Sequence, residues 1–287
     1  MVTRIGHVAL HVRDADRSIA FFAAVLGLRV TLRDGDRTYL TCNERHHELI
    51  LIASGERGYD HVAFEVADLE RVEASLRAGG AQVLGYEDEP GVESALRAVI
   101  PGGHVVKLFT GMQRVPDPAG ADGAVKFEHV SLNLRDLAGI ERVLLKHLGF
   151  RLSDRVGPML SWLHCDEDHH GVALQRFPAS RLHHYAWAFA DFEALGRVAD
   201  RAAAAGAQLV YGPGRHGPGN NHFIYFKDPD GFLVECCSEL AQVGAGSAYQ
   251  LGGKWTVRQT NLWGPAPGLT FLLAGRPLAS SARTRRR

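Results

Sequence analysis

The chain repeats itself. The run His7-Val8-Ala9-Leu10-His11-Val12-Arg13-Asp14 returns as His129-Val130-Ser131-Leu132-Asn133-Leu134-Arg135-Asp136, an offset of 129 − 7 = 122. Gly27 and Gly149 keep that offset; Cys42 and Cys165, then His61 and His184, stand 123 apart; Pro101 and Pro229 stand 128 apart. An offset that drifts by a few residues over a hundred positions is the mark of a duplicated domain with small loop insertions.

Each copy divides again. Four strand-like stretches end at Asp14, Asp68, Asp136 and Asp191, and each leads into a helical segment closed by Gly27, Gly79, Gly149 or Gly206. Aspartate accepts from the free N–H groups that open a helix, and glycine enters the left-handed conformation that ends one. In the first helix Ile19, Phe22, Val25 and Leu26 fall on one face at helical spacing. Segments such as Arg37–Asn43 and Glu48–Ser54 carry strand formers. The fold class is therefore α+β: four βαβββ modules paired into two duplicated domains, each a curved, mostly antiparallel sheet with helices outside. The expected division is 1–112 for the first domain, 113–125 for a linker, 126–240 for the second domain and 241–287 for a tail. That tail packs on the second domain through Trp255 and Trp263 and ends in a solvated basic stretch.

Composition sets the class of partner. The 287 residues hold 32 Lys+Arg against 32 Asp+Glu and are 46% hydrophobic, so no charge excess favours nucleic acid or an acidic membrane surface. No apolar run approaches the ~20 residues of a membrane span, and the first residues lack a signal-peptide core. Four cysteines, Cys42, Cys165, Cys236 and Cys237, show no metal-type spacing and fit a reducing, cytoplasmic compartment.

Duplication also supplies an internal control. In the second copy His129 lies on the first strand of module three, His184 opens module four, and Glu235 is placed at the end of that module's last strand. Two imidazoles and a carboxylate on one face leave coordination positions open, an arrangement that suits non-haem Fe(II) and tolerates Mn(II). The first copy repeats the histidines as His7 and His61 but has Lys107 in place of Glu235. An ammonium has no lone pair to donate, so the first copy is expected to be metal-free.

With these residues in view, Gly214-Arg215-His216 followed by Ile224-Tyr225, Asp228-Pro229, Gly231 and Glu235 resembles the signature of the type I extradiol ring-cleavage dioxygenases of the vicinal oxygen chelate superfamily. The resemblance covers about residues 4 to 240, and the tail bearing Leu262-Trp263-Gly264-Pro265 is similar to that group as well. It implies iron ligands at His129, His184 and Glu235, and an acid/base at His170 that interacts with bound oxygen. It also implies that His216 and Tyr225 hydrogen-bond the substrate oxygens. The implied reaction inserts both atoms of O2 into a catechol beside its diol, and homo-oligomers are usual in the group. Trp187, Phe177, His222 and Phe223 are candidates for the cavity wall, with core packing as the alternative. Cys236 and Cys237 are expected to be packing residues, and Asp228–Gly231 a turn. A neutral, alkyl- or aryl-substituted catechol is the favoured substrate; Arg215 and Arg258 are the nearest candidates for an anionic one. The rival functions are a metal-dependent glyoxalase-like lyase or isomerase, which needs no oxygen pocket, and a non-catalytic small-molecule-binding protein.

Overall fold

In the computed structural model, which describes residues 1–116 and 122–283, the βαβββ pattern occurs four times. Module one is β1 (Val2–Val12), α1 (Ala15–Leu26), β2 (Arg29–Asp34), β3 (Arg37–Thr41) and β4 (Leu49–Ala53). Module two is β5 (Gly58–Val66), α2 (Leu69–Ala78), β6 (Gln82–Glu87), β7 (Ser94–Val99) and β8 (Val105–Thr110). Module three is β9 (Lys126–Leu134), α3 (Leu137–Val143), β10 (Arg151–Val156), β11 (Leu160–His164) and β12 (Val172–Arg176). Module four is β13 (Arg181–Ala188), α4 (Phe192–Ala204), β14 (Leu209–His216), β15 (His222–Lys227) and β16 (Leu233–Ser238). The middle of the expected linker, 117–121, and the last four residues, 284–287, lie outside the described residues. Among the described residues no helix is long and apolar enough to cross a membrane.

Local chemistry explains the helix boundaries. Asp14, Asp68, Asp136 and Asp191 each accept a hydrogen bond from the backbone N–H three residues on, contributing about 1 kcal/mol apiece. Gly27 and Gly149 end their helices in the left-handed region, at φ 75° and 83°. Helix α2 departs from expectation. Gly79 keeps φ −81°, and the left-handed residue is Gly80. Gly79 serves close approach instead, since a Cβ there would come within 2.7 Å of the His147 ring in the other copy. Helix α3 continues into a π turn, Leu144–Leu148, before Gly149 stops it.

The first copy forms an eight-stranded sheet in the order β2-β3-β4-β1-β5-β8-β7-β6. The second repeats that order as β10-β11-β12-β9-β13-β16-β15-β14 and gains a ninth strand, β17 (Asn261–Trp263), from the tail. At each centre two first strands run antiparallel, β1 with β5 and β9 with β13, each flanked by a parallel last strand. The helices of the two copies meet, α1 on α4 and α2 on the π turn. One apolar core runs through both copies, with Phe64 edge-on to Phe150 and Phe21 to Phe226. Burying a phenylalanine such as Phe22 stabilises this core by about 1.5–3 kcal/mol.

The tail goes further than expected. After β17 it forms a short helix, α5 (Leu269–Leu272), and then leaves the second copy. Leu278 bridges to Tyr59, Ser280 donates to Glu56, and the Ala282 carbonyl accepts from Arg97, all in the first copy. The tail thus packs on the second domain, through β17 and Arg276, and its end reaches the first domain as well, at the start of β5 and at Arg97.

Candidate metal centre and active-site cavity

Strand register brings the three expected ligands together. On β13, Ala186 lies opposite His129 of β9 on one side and Glu235 of β16 on the other. His184 precedes Ala186 by two residues, and side chains two apart on a strand share a face. Glu235 is the third of six residues in β16, so it stands mid-strand rather than at the strand end anticipated above. Its Oε2 lies 3.0 Å from His129 Nε2 and 3.2 Å from His184 Nε2, with the two Nε2 atoms 3.3 Å apart. All three side chains are buried. The donors are two imidazoles and a carboxylate gathered at one point, a set that would fit a divalent ion.

Electrostatics points the same way. Burial alone would raise the Glu235 carboxyl, but the His129 charge and hydrogen bonds from His129 and His184 hold it well below the usual range. Burial would lower His129; the Glu235 charge and the Glu128 hydrogen bond override it and lift it to about 9. The anionic cluster thus calls for a cation, and in the metal-free chain a proton on His129 is that cation.

Both imidazoles are oriented from behind. Glu128 Oε2 lies 3.2 Å from His129 Nδ1 and also accepts from the Cys237 thiol at 2.7 Å. His184 Nδ1 lies 2.7 Å from His183 Nδ1, and His183 Nε2 is 3.0 Å from the Phe271 carbonyl. In each case Nδ1 is engaged outward, which turns Nε2 toward Glu235. The expectation that Cys237 merely packs is corrected, because its thiol holds the carboxylate behind His129; Cys236 does lie in the core. Neither Glu128 nor His183 was singled out from sequence. The internal comparison carried the signal, since their counterparts in the first copy are Gly6 and Asp60.

Around the triad lies a cavity of about 620 Å³, lined by His129, His184 and Glu235 together with His170, His216 and Tyr225. The His170 ring stands 4.4 Å from the His129 ring, and burial, then the His129 charge, keeps it well below the usual imidazole value. His216 Nδ1 is 3.0 Å from the Thr260 carbonyl, which accepts its hydrogen, so the Tyr225 hydroxyl donates to Nε2 at 3.2 Å. Burial, then the Glu235 charge, pushes the Tyr225 phenol well above its ordinary value. The tail supplies part of the wall through Val257, Arg258, Pro267 and Leu272. Arg215 turns instead to an ion pair with Glu239.

The four aromatic wall candidates are corrected. Trp187 is buried in the core against Phe127; Phe177 lies beneath the Arg181 guanidinium; His222 packs between Phe192 and Trp263. Phe223 stacks on the His216 ring at 3.9 Å and supports it from outside the cavity. For Trp187 strand alternation decides this, since it lies one residue after Ala186 and so takes the opposite face. The wall positions are filled by residues such as Met159, Trp162 and Tyr211.

In the first copy the same geometry carries different chemistry. Lys107 lies opposite Ala63 as Glu235 lies opposite Ala186. His7 Nε2 and His61 Nε2 are 3.0 Å apart, and Lys107 makes ion pairs with Glu87, at 3.1 Å, and with Glu89. Glu89, from the β6–β7 loop, also brings Oε1 within 3.3 Å of His47 and 3.6 Å of His7.

Residues 4–95 and 126–236 match the model of the Glyoxalase/Bleomycin resistance protein/Dioxygenase superfamily, and the chain belongs to that family. Relatives that match over most of the chain are extradiol dioxygenases of catechols and dihydroxybiphenyls. The chain is 28% identical to metapyrocatechase 2 of Cupriavidus necator, over 92% of its own length and 89% of the relative's. Among solved structures it is similar to the Mn(II)-bound glyoxalase of Novosphingobium aromaticivorans (TM-score 0.87, 27% identity, 94% of this chain and 93% of that one). It is also similar to homoprotocatechuate 2,3-dioxygenase of Brevibacterium fuscum in complex with 3,4-dihydroxyphenylacetate (TM-score 0.85, 25% identity, 96% and 92%).

Proposed function

We propose that this chain is an extradiol dioxygenase that inserts both atoms of O2 into a catecholic ring beside the vicinal diol. It uses non-haem Fe(II) held by His129, His184 and Glu235, and Mn(II) is tolerated by the same donors. The observation that carries the proposal is the convergence of this triad with His170, His216 and Tyr225 around one cavity. In the first copy the Glu235 position is Lys107 and the Tyr225 position is Arg97.

Bound iron supplies one-electron chemistry with triplet O2 and acidifies a coordinated hydroxyl. The protein's own groups then divide the work. Tyr225 and His216 hydrogen-bond the diol oxygens, the phenol of Tyr225 remaining protonated and a donor because it is buried. His170, neutral and beside His129, is the group that holds oxygen's side of the cavity and moves a proton during ring cleavage. The tail segment 257–272 supplies one wall of the substrate cavity. The first copy is proposed as metal-free, with the Lys107 ammonium serving as the buried cation. A catechol, O2 and further copies of the chain are the proposed partners, and a reducing compartment suits its thiols.

The test is oxygen uptake and formation of a yellow product when the Fe(II)-loaded chain meets catechol, 3-methylcatechol or 2,3-dihydroxybiphenyl in air. No uptake with any of them overturns the proposal. The similarity to a Mn(II)-bound glyoxalase favours a second reading, a lyase or isomerase on the same metal. Turnover that survives strict anaerobiosis would select it.

A further inference from the structure

A chain of buried hydrogen bonds runs away from the cavity behind His170. His170 Nδ1 lies 3.0 Å from Nδ1 of His169, and His169 Nε2 lies 3.1 Å from Asp154 Oδ2. Asp154 and His169 are both buried. The carboxylate also accepts from the Gly253 N–H at 2.8 Å and from the Tyr249 hydroxyl. Burial would raise the Asp154 carboxyl, but hydrogen bonds from His169 and Tyr249 keep it below its ordinary value.

This wiring sets the tautomers. Facing a carboxylate, His169 carries its hydrogen on Nε2, so its Nδ1 is an acceptor. His170 therefore donates from Nδ1, and its Nε2 lone pair looks into the cavity. The first copy repeats the histidine pair, His46 and His47, with Nδ1 atoms 2.9 Å apart. There the wire stops. Asp154 lies opposite Trp162 in its sheet, and the residue in the same register, opposite Tyr39, is Leu32. The carboxylate occurs only in the copy that holds the triad.

We infer that Asp154 and His169 are positioning residues that fix the His170 tautomer and store the charge of the proton it handles. When an N–H bond forms at Nε2 of His170, its Nδ1–H bond breaks and that proton passes to Nδ1 of His169. The positive charge then rests on His169 against Asp154, one residue farther from the cationic centre, and the reverse transfer returns the proton. Both histidines end each cycle neutral, and no other reactant is required. The inference rests on the reading of His170 as the acid/base of ring cleavage.

Two measurements test it, imidazole ¹⁵N NMR on the full-length metal-free chain and steady-state kinetics on the Fe(II)-loaded chain. The native chain should show hydrogen on Nδ1 of His170 and Nε2 of His169. Asp154→Leu, which installs the first copy's residue, should scramble that pattern and lower kcat by about 10- to 100-fold, with KM for the catechol and bound iron little changed. Asp154→Asn, which keeps an acceptor but not the charge, should keep the tautomers yet lose kcat. Native tautomers together with native kcat in Asp154→Leu would overturn the inference. Should that variant fail to fold, native kcat in Asp154→Asn would overturn it. A native chain with the stated tautomers but no ring cleavage would remove the dioxygenase reading and leave the hydrogen-bond assignment standing.

Discussion

Glu235 and Lys107 occupy the same register position in the two sheets, each opposite an alanine of the neighbouring strand, Ala186 and Ala63. One position thus places a carboxylate between two histidines in the second copy and an ammonium between two histidines and two glutamates in the first. Metal analysis should find one ion per chain. Glu235→Ala should abolish it, whereas Lys107→Met should keep it while destabilising the fold by about 3–5 kcal/mol, since Glu89 is left buried without its cation. Loss of metal in both variants, read by elemental analysis beside urea denaturation, would argue against a single site.

Removing the carboxylate behind His129 should weaken metal binding without removing a ligand. Glu128→Ala is expected to cost about 10- to 100-fold in affinity, because the His129 ring loses its outward partner. Competition against a chelator measures this. An affinity within twofold of native would show that Glu128 has no hold on the ring.

The proton on His129 gives metal uptake a pH signature. With burial opposing and the Glu235 charge prevailing, the folded value is raised to about 9, so its contribution to metal-free stability is complete below ~6.5 and lost as pH rises through 9. A divalent ion must displace that proton. Calorimetry in two buffers of different ionisation enthalpy should report about one proton released per ion near pH 7.5 and almost none above pH 10. Heats that do not depend on buffer at pH 7.5 would contradict the assignment.

The Tyr225 hydroxyl can be tested without disturbing the triad. Tyr225→Phe should retain metal and reduce kcat by about 10²-fold or more, through loss of the donor to the diol. Unchanged turnover on every catechol would remove it from the reaction.

Wall and core can likewise be separated. Trp162→Ala should shift the preference between 2,3-dihydroxybiphenyl and catechol while costing little stability beyond its partial burial. Trp187→Ala should cost about 3–5 kcal/mol, as for other buried tryptophans, and leave the ratio of kcat/KM values alone. The opposite pattern would return Trp187 to the cavity.

Sequence went furthest where backbone periodicity decides the outcome. The four aspartate caps, the module order and the row containing His129, His184 and Glu235 all follow from spacing, because strand alternation and helix capping are local rules. The wall of the cavity was not legible, since whether Trp187 faces core or cavity depends on a register one residue away from Ala186. Glu89 was hidden as well, as a loop residue that enters its site from outside the duplicated pattern. Asp154 could have been found by asking which carboxylates the second copy has where the first has leucine, and the strand pairing of Leu32 answers that question.

The first copy also bears on the wall of the cavity in the second. Residues 257–272 roof the cavity, yet the stretch that follows is tied down at Tyr59, Glu56 and Arg97 across the molecule. The first copy is therefore a mooring. Its sheet holds the rope end, so cutting the chain after Gly275 should loosen α5 at the cavity wall while β17 stays paired with β14 and the triad residues remain in place.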